Sequence, residues 1–276
     1  MKKQKLNYLN LGCGNKFHND WINVDMISYS KEVIRANLLK GIPFPDNTFD
    51  VVYHSQVLEH FPQKDALSFI KECYRVLKKG GIIRVVVPDL ENIIDEYKKN
   101  LNNCLKHDTD IFKANYDWIM LEMYDQTVRN CRGGQMAEFL RQTNLPNEDY
   151  ILTRIGKVGK KIRDNFLEGN KSKSNLKKIF SSFEMFKIAI KHLVREVFYV
   201  LKTENCRIGS FRLGGEIHMW MYDRYSLSRV LKNCGFHSVS KKDPYTSDIP
   251  NWNIYELDVK EDLIYDPTSL FMEAKK

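Results

Sequence analysis

Apolar positions along the chain switch between runs and helical spacing, and each switch marks a new element. Leu6–Leu11 is a short apolar run, Trp21–Asp25 a second, and a brief third ends near Ala36-Asn37-Leu38. Phe49–His54 reads as a fourth strand. Between Lys64 and Leu77 the residues Ala66, Leu67, Ile70, Cys73, Tyr74 and Leu77 recur at helical spacing and predict an amphipathic helix. Lys78-Lys79-Gly80-Gly81 is expected to end it, with cations near the last carbonyls and glycine beyond them. Ile82–Val87 is continuously apolar, as expected of a strand covered on both faces.

The pattern then turns helical. Leu90–Leu105, Ile111–Arg129 and Gln135–Thr143 are predicted helices, and 169–174, polar and free of apolar residues, reads as a linker. Ser174–Thr203 reads as one long helix with an apolar stripe that includes Phe180, Phe183 and Phe186. A helix at Tyr225–Asn233, stopped by Gly235, precedes strands at Phe236–Ser240 and Ser269–Ala274. The result is an α/β core in residues 1–89 and 211–276, with a helical insertion over 90–210 forming the substrate side. One spacing is unusual. Only about ten residues separate Gly12 from the second strand, and a parallel crossover needs about a dozen. The early connectors must therefore be short or irregular, and the later helices are the expected cover for the sheet face left bare.

Length fits this picture: 276 residues suit a single core carrying a large insertion. Charge sharpens it. The net charge is +8, and residues 150–205 hold 13 basic against 5 acidic side chains, which leaves the remainder near neutral. Such a region favours phosphate, acidic sugar or anionic lipid, and serves equally as a solubilising face. On Ser174–Thr203, Lys177, Lys178, Lys187, Lys191, Arg195 and Lys202 accompany the phenylalanines. That combination fits a peripheral membrane contact; the same stripe fits cover for the bare sheet face, or packing against a second copy in a homodimer. Nucleic acid is not an expected partner, because no stacking platform or binding motif interleaves with the charge. The six cysteines show no Cys-x-x-Cys or zinc-like spacing and read as reduced thiols of a cytoplasmic protein. No apolar signal segment follows Met1-Lys2-Lys3-Gln4-Lys5, and no stretch reaches bilayer length.

Candidate chemistry begins after the first strand, at Gly12-Cys13-Gly14. Glycines permit a sharp turn and leave no Cβ between backbone and ligand. At the carboxyl end of a central parallel strand such a turn makes a crevice for a nucleotide-like molecule. Asp25, ending the next strand, can accept hydrogen bonds from ribose hydroxyls. Taken alone, a Gly-x-Gly turn serves as plain loop chemistry just as often. The continuation adds Gly41-Ile42-Pro43-Phe44-Pro45-Asp46-Asn47-Thr48-Phe49-Asp50, Val57-Leu58-Glu59-His60-Phe61 and Tyr74-Arg75-Val76-Leu77-Lys78-Lys79-Gly80-Gly81. Together these motifs resemble the class I S-adenosylmethionine-dependent methyltransferases, in particular the branch common in glycan biosynthesis. The likeness covers about the first ninety residues and resumes near Glu216.

This resemblance implies a Rossmann-like methyltransferase sheet and S-adenosyl-L-methionine as cofactor. It implies that Gly12, Cys13 and Gly14 pack under the methionine portion, that Asp25 takes the ribose, and that Asn37 and Leu38 meet the adenine. His54 and Ser55, after the fourth strand, face the sulfonium, whereas Asp50 begins a strand and fixes a turn.

Methyl transfer from a sulfonium is an in-line displacement in which positioning supplies much of the rate. A sugar hydroxyl as nucleophile must also lose its proton, for which histidine is the natural base. Glu216, His218, Trp220 and Tyr222 alternate, so an extended segment places an acid, an imidazole and two aromatics on one face, an arrangement suited to a polar ring. With Asp223 they are the expected substrate contacts. His218 is the leading candidate base, and His60, close to where the methyl emerges, is the second. The acids and histidine of this stretch could also hold a divalent ion, as in some sugar methyltransferases, but their spacing is not diagnostic and no metal ligands are assigned. The expected reaction is O-methylation of a sugar hydroxyl on a glycan or lipid-linked precursor. Its rivals are a small-metabolite methyltransferase and a non-catalytic cofactor-binding module.

Overall fold

The computed structural model describes residues 6–28, 30–171 and 203–276. Seven strands form one sheet: β1 (Tyr8–Leu11), β2 (Ile22–Asp25), β3 (Val33–Arg35), β4 (Phe49–Ser55), β5 (Leu77–Pro88), β6 (His237–Lys242) and β7 (Ser269–Lys275). Their order is β3-β2-β1-β4-β5-β7-β6. β1 to β5 run parallel, and β7 enters antiparallel between β5 and β6. The order reverses at β1 and β4, where a crevice opens at the carboxyl ends of the strands.

Period-two alternation gives the sheet two apolar faces. Leu9, Leu11, Val52, Ile83 and Val85 face the helices α1 (Gln63–Val76) and α7 (Arg224–Asn233) in the larger core. Tyr8, Val51, Tyr53 and Val86 face the other way. As the spacing requires, among the described residues no helix joins β1 to β2 or β2 to β3, and a single 3-10 turn, Leu38–Lys40, lies before β4. The expected cover for the second face was the later helices. Among the described residues it is instead the connection between β6 and β7, which lays Ile249, Trp252, Tyr255 and Leu257 across the strands. Trp21 packs against Tyr8 and Tyr255 there, with ring centroids 4.9 and 5.3 Å away.

Arg84 of β5 fastens this cover. Fully buried, it pairs with Asp258 at 2.7 Å and Glu273 at 2.8 Å. It donates to the carbonyls of Asp243 and Thr246 at 2.8 and 3.0 Å and lies 4.6 Å from the Trp252 ring centroid. One guanidinium thus engages both ends of the 243–258 segment and the adjacent strand.

The chain leaves the sheet at Asp89 and returns at Tyr222, where the two residues form an isolated parallel bridge and Leu90 N–H donates to the Tyr222 carbonyl at 2.9 Å. Between these two residues the described chain forms α2 (Leu90–Lys106), α3 (Asp110–Val128), α4 (Gly134–Leu140), α5 (Glu148–Lys171) and α6 (Glu204–Arg212). A separate core of Trp118, Leu140, Leu145 and Ile151 holds α3 to α5, reinforced by an Arg154–Glu122 ion pair at 2.6 Å. α5 kinks at Gly156, where a Cβ would sit 2.5 Å from the Tyr265 carbonyl oxygen.

Other expectations shift. Lys78-Lys79-Gly80-Gly81 does not close α1 but begins β5, with the Gly80 amide on the Lys276 carbonyl at 2.8 Å. The third strand ends at Arg35, before Ala36-Asn37-Leu38. The supposed linker is helical through Lys171, and the remainder of it lies outside the described residues. So does the Ser174–Thr203 helix apart from Thr203, which caps α6. Among the described residues no helix is long and apolar enough to cross a membrane.

Removing the guanidinium would strand Asp258 and Glu273 without a cation. Arg84→Met is expected to lower unfolding stability by about 3–5 kcal/mol in urea titration; a loss under about 1 kcal/mol would show that the clamp is dispensable.

Candidate active site

The glycine turn and the acid of β2 meet directly. Gly12 N–H donates to the Val24 carbonyl at 2.8 Å, which docks the turn on β2. Gly14 N–H then donates to one Asp25 oxygen at 2.8 Å and Ile27 N–H to the other at 3.0 Å. The carboxylate is held over the turn by backbone donors while each oxygen keeps a free lone pair. The two glycines differ. Gly12 has φ +64°, and a Cβ there would lie 2.4 Å from Val57 Cγ2. Gly14 has φ +51° and no heavy atom within 4 Å of the position a Cβ would take. Gly12 is required by packing, whereas Gly14 leaves room against bare backbone for a ligand. A carboxylate beside an open glycine turn fits the ribose and methionine portions of S-adenosylmethionine.

The other expected cofactor contacts divide. Asn37 is exposed, with its side-chain oxygen accepting from Leu39 N–H at 3.0 Å. The Leu38 side chain belongs to the core and leaves only its backbone for an adenine. Cys13 is buried as well; burial, with Asp25 adding, pushes its thiol up to about 12, so it offers backbone and no reactive sulfur. Ser55 ends β4 nearly buried at the strand-end crevice. His54 is a correction: it points to the α1 side, is fully enclosed, and packs on Phe69 at 5.1 Å. Burial lowers its pKa to about 3, and neither ring nitrogen has a protein partner among the described residues. It belongs to the core. Asp50 does not fix a local turn; it links neighbouring segments of the sheet, accepting from Asn7 N–H at 2.7 Å and Lys78 Nζ at 2.8 Å.

A cleft of about 420 Å³ lies between the strand ends and helices α3 to α5, and neither the glycine turn nor Asp25 lines it. Gln56, Gln126, Arg129, Glu216, His218 and Asp266 supply polar walls, and Trp118 and Leu140 are among its apolar ones. Asp266 accepts from Lys16 at 2.8 Å, and Lys16 N–H donates to the Cys13 carbonyl at 2.8 Å, which ties the cleft rim to the glycine turn.

The 216–223 stretch is not a strand, so its alternating residues do not share a face. Glu216 pairs with Arg129 at 3.2 Å and accepts from Gly133 N–H at 3.1 Å on the cleft wall. His218 is buried against His60, ring centroids 4.9 Å apart. Trp220 is 42% exposed and outside the cleft lining. Tyr222 joins the main core, and Asp223 caps α7 by accepting from Ser226 N–H at 2.7 Å. Only Glu216 and His218 of the expected substrate-side set in this stretch line the cleft.

His218 and His60 are together, as two candidates for one role would be. Burial, helped by the charges of His60 and Arg129, lowers the His218 pKa to about 3, so its ring is neutral at physiological pH. Burial lowers His60 too, and its Nδ1 lies 3.0 Å from the Ile217 carbonyl. Beside them is Glu59, fully buried, with burial raising its pKa to about 8. In the sequence Glu59 stands only within the Val57–Phe61 motif, as the neighbour of His60. Lys16, Arg129 and Asp266 carried no local signal.

Residues 9–85 match a family model described as a methyltransferase domain. The match spans Gly12, Gly14, Asp25 and His60, and the cofactor it implies is S-adenosylmethionine. A probable S-adenosylmethionine-dependent methyltransferase of Mycolicibacterium smegmatis is 41% identical over 61 residues, 22% of this chain and 23% of that one. A demethylmenaquinone methyltransferase of Listeria monocytogenes is 27% identical over 131 residues, 45% of this chain and 52% of that one. The chain thus spans about a quarter to a half of these relatives' length. Among solved structures, a SAM-dependent methyltransferase from Archaeoglobus fulgidus covers 98% of this chain and 86% of its own at 13% identity and a TM-score of 0.39.

The two glycines make separable predictions. Gly12→Ala must move Val57 and is expected to destabilise the fold by about 2–4 kcal/mol. Gly14→Ala meets no atom, so it should lose only the cost of a left-handed φ, about 1–2 kcal/mol, while binding S-adenosylhomocysteine about tenfold more weakly in calorimetry. Wild-type affinity in Gly14→Ala would show that no ligand approaches that backbone.

Proposed function

We propose that the protein is an S-adenosylmethionine-dependent methyltransferase that O-methylates a sugar hydroxyl of a glycan or lipid-linked glycan precursor. The observation that carries the methyltransferase reading is the contact between Asp25 and the Gly14 turn, with an acceptor-sized cleft at the strand ends. When bound, the sulfonium supplies an activated methyl group. Gly12 and Gly14 hold the backbone back from the ligand, Asp25 accepts from its ribose, and Asn37 is available to the base. The helical insertion forms the opposite wall and limits water access.

On the acceptor side, neutral His218 can receive a hydroxyl hydrogen bond, and Glu216, Arg129 and Gln126 offer partners to neighbouring hydroxyls. A pKa near 3 makes His218 a weak base, so its role is to orient the hydroxyl and accept its hydrogen bond rather than store the proton. The polar walls support a sugar. Met136, Ile155 and Met221 on the cleft wall support a second reading, a small apolar-ring metabolite, in keeping with the demethylmenaquinone in the name of one relative.

Incubation with methyl-labelled S-adenosylmethionine and separate glycan and metabolite pools tests both. Label in the glycan fraction is expected; label confined to metabolites would replace the sugar reading, and none in either, despite cofactor binding, would indicate a non-catalytic module. His218→Ala is expected to lower turnover on the order of a hundredfold with unchanged S-adenosylhomocysteine affinity. Undiminished turnover would remove His218 from the acceptor site.

A further inference from the structure

We propose that Glu59, His60 and His218 form a binding site for one divalent transition-metal ion of the zinc class, at the inner end of the acceptor cleft. One carboxylate oxygen and one nitrogen from each imidazole all lie within 4.8 Å of one another. Glu59 is fully buried, and neither of its oxygens has a protein partner among the described residues. A carboxylate so placed must either remain protonated or meet a cation.

The histidine orientations favour the cation. Ile217 O can only accept, so the 3.0 Å contact with His60 Nδ1 fixes the proton on that nitrogen. The lone pair is then on Nε2, which lies 4.0 Å from Glu59 Oε1. Holding the far nitrogen by a carbonyl is how proteins orient metal-bound histidines. His218 is anchored by its own amide, which donates to the Gln126 carbonyl at 2.9 Å. The two segments are joined at the site, because the Glu59 carbonyl accepts from Met219 N–H at 2.7 Å and Trp220 N–H at 3.2 Å. Of the nearby cations, Arg129 is already paired with Glu216 and Asp125, and Lys16 with Asp266.

The donor set selects the ion. Two imidazoles and a carboxylate suit zinc and its neighbours, whereas magnesium and calcium prefer all-oxygen sets. Bond lengths of about 2.0–2.2 Å require the three donors to draw together by on the order of 1 Å, within reach of side-chain rotation. Three protein ligands leave a coordination position open, and His218 is the ligand that lines the acceptor cleft. A hydroxyl bound to the ion would lose its proton more readily, and that bond would replace the hydrogen bond to His218, whose lone pair the ion takes. This last consequence rests on the methyl-transfer reading, whereas metal binding does not.

The test uses the full chain after chelator treatment, carrying Cys131→Ser and Cys206→Ser to remove exposed thiols. Titration with cobalt(II) is expected to give visible bands of a low-symmetry, partly nitrogen-ligated ion that saturate at one equivalent and are displaced by zinc. Glu59→Gln and His218→Ala should each weaken zinc binding by about tenfold or more. The spectrum of aqueous cobalt in the parent protein, or equal zinc affinity in folded variants, would overturn the site; if the variants fail to fold, the parent spectrum alone decides. Calorimetry with S-adenosylhomocysteine separates the readings: nucleoside binding without metal leaves the cofactor assignment standing, and metal without nucleoside leaves the metal site.

Discussion

The Asp25 carboxylate fastened to the Gly14 amide is the contact on which the site depends. It exists because β1 and β2 are parallel neighbours, with Leu11 opposite Val24, so the end of one strand lies beside the turn leaving the other. The Gly12 amide on the Val24 carbonyl sets the turn's height, and the Gly14 and Ile27 amides set the carboxylate's direction. Charge-assisted bonds of this kind contribute about 1.5–3 kcal/mol each, enough to orient the acid before a ligand arrives. In the proposed reading, that preorganisation spares a ribose the cost of ordering its acceptor.

The same short β1–β2 connection creates a deficit elsewhere. A sheet without early crossover helices exposes Tyr8, Val51 and Tyr53 on one face, and apolar area left in water forfeits about 25 cal/mol per Å². The chain answers with the aromatic 243–258 segment and buries Arg84 to hold it. Three buried charges are tolerated because each is paired and further hydrogen-bonded; Asp258 also accepts from the Tyr53 hydroxyl at 2.6 Å. Cofactor turn and aromatic cover are thus two consequences of one economy in the connections.

Much of the core was legible because its signals are local. Apolar runs marked β1, β2, β4 and the inner part of β5, helical spacing marked α1 and α7, and the Gly12–Gly14 and Asp25 pairing could be read from motif and strand ends. What escaped depends on contacts distant in sequence. Nothing near Arg84 announces partners at Asp258 and Glu273, so the cover of the second face was assigned to the later helices. Alternation in 216–223 implied a shared face, but the segment is bound through its backbone to Glu59 and Gln126, which scatters Trp220, Tyr222 and Asp223 into other roles. Likewise the motif assigns His54 to the cofactor, and the parity of β4 turns it into the core. The juxtaposition of Glu59 and His60 with His218 needed the fold, since the pieces lie on opposite sides of the helical insertion.

The most direct test of the account is calorimetric binding of S-adenosylhomocysteine to the wild-type chain and to Asp25→Ala. Binding by the wild type and its loss by at least about a hundredfold in a variant that remains folded by circular dichroism is the predicted result. Equal affinity in the two proteins would contradict it, because the carboxylate on the glycine turn would then have no ligand to hold.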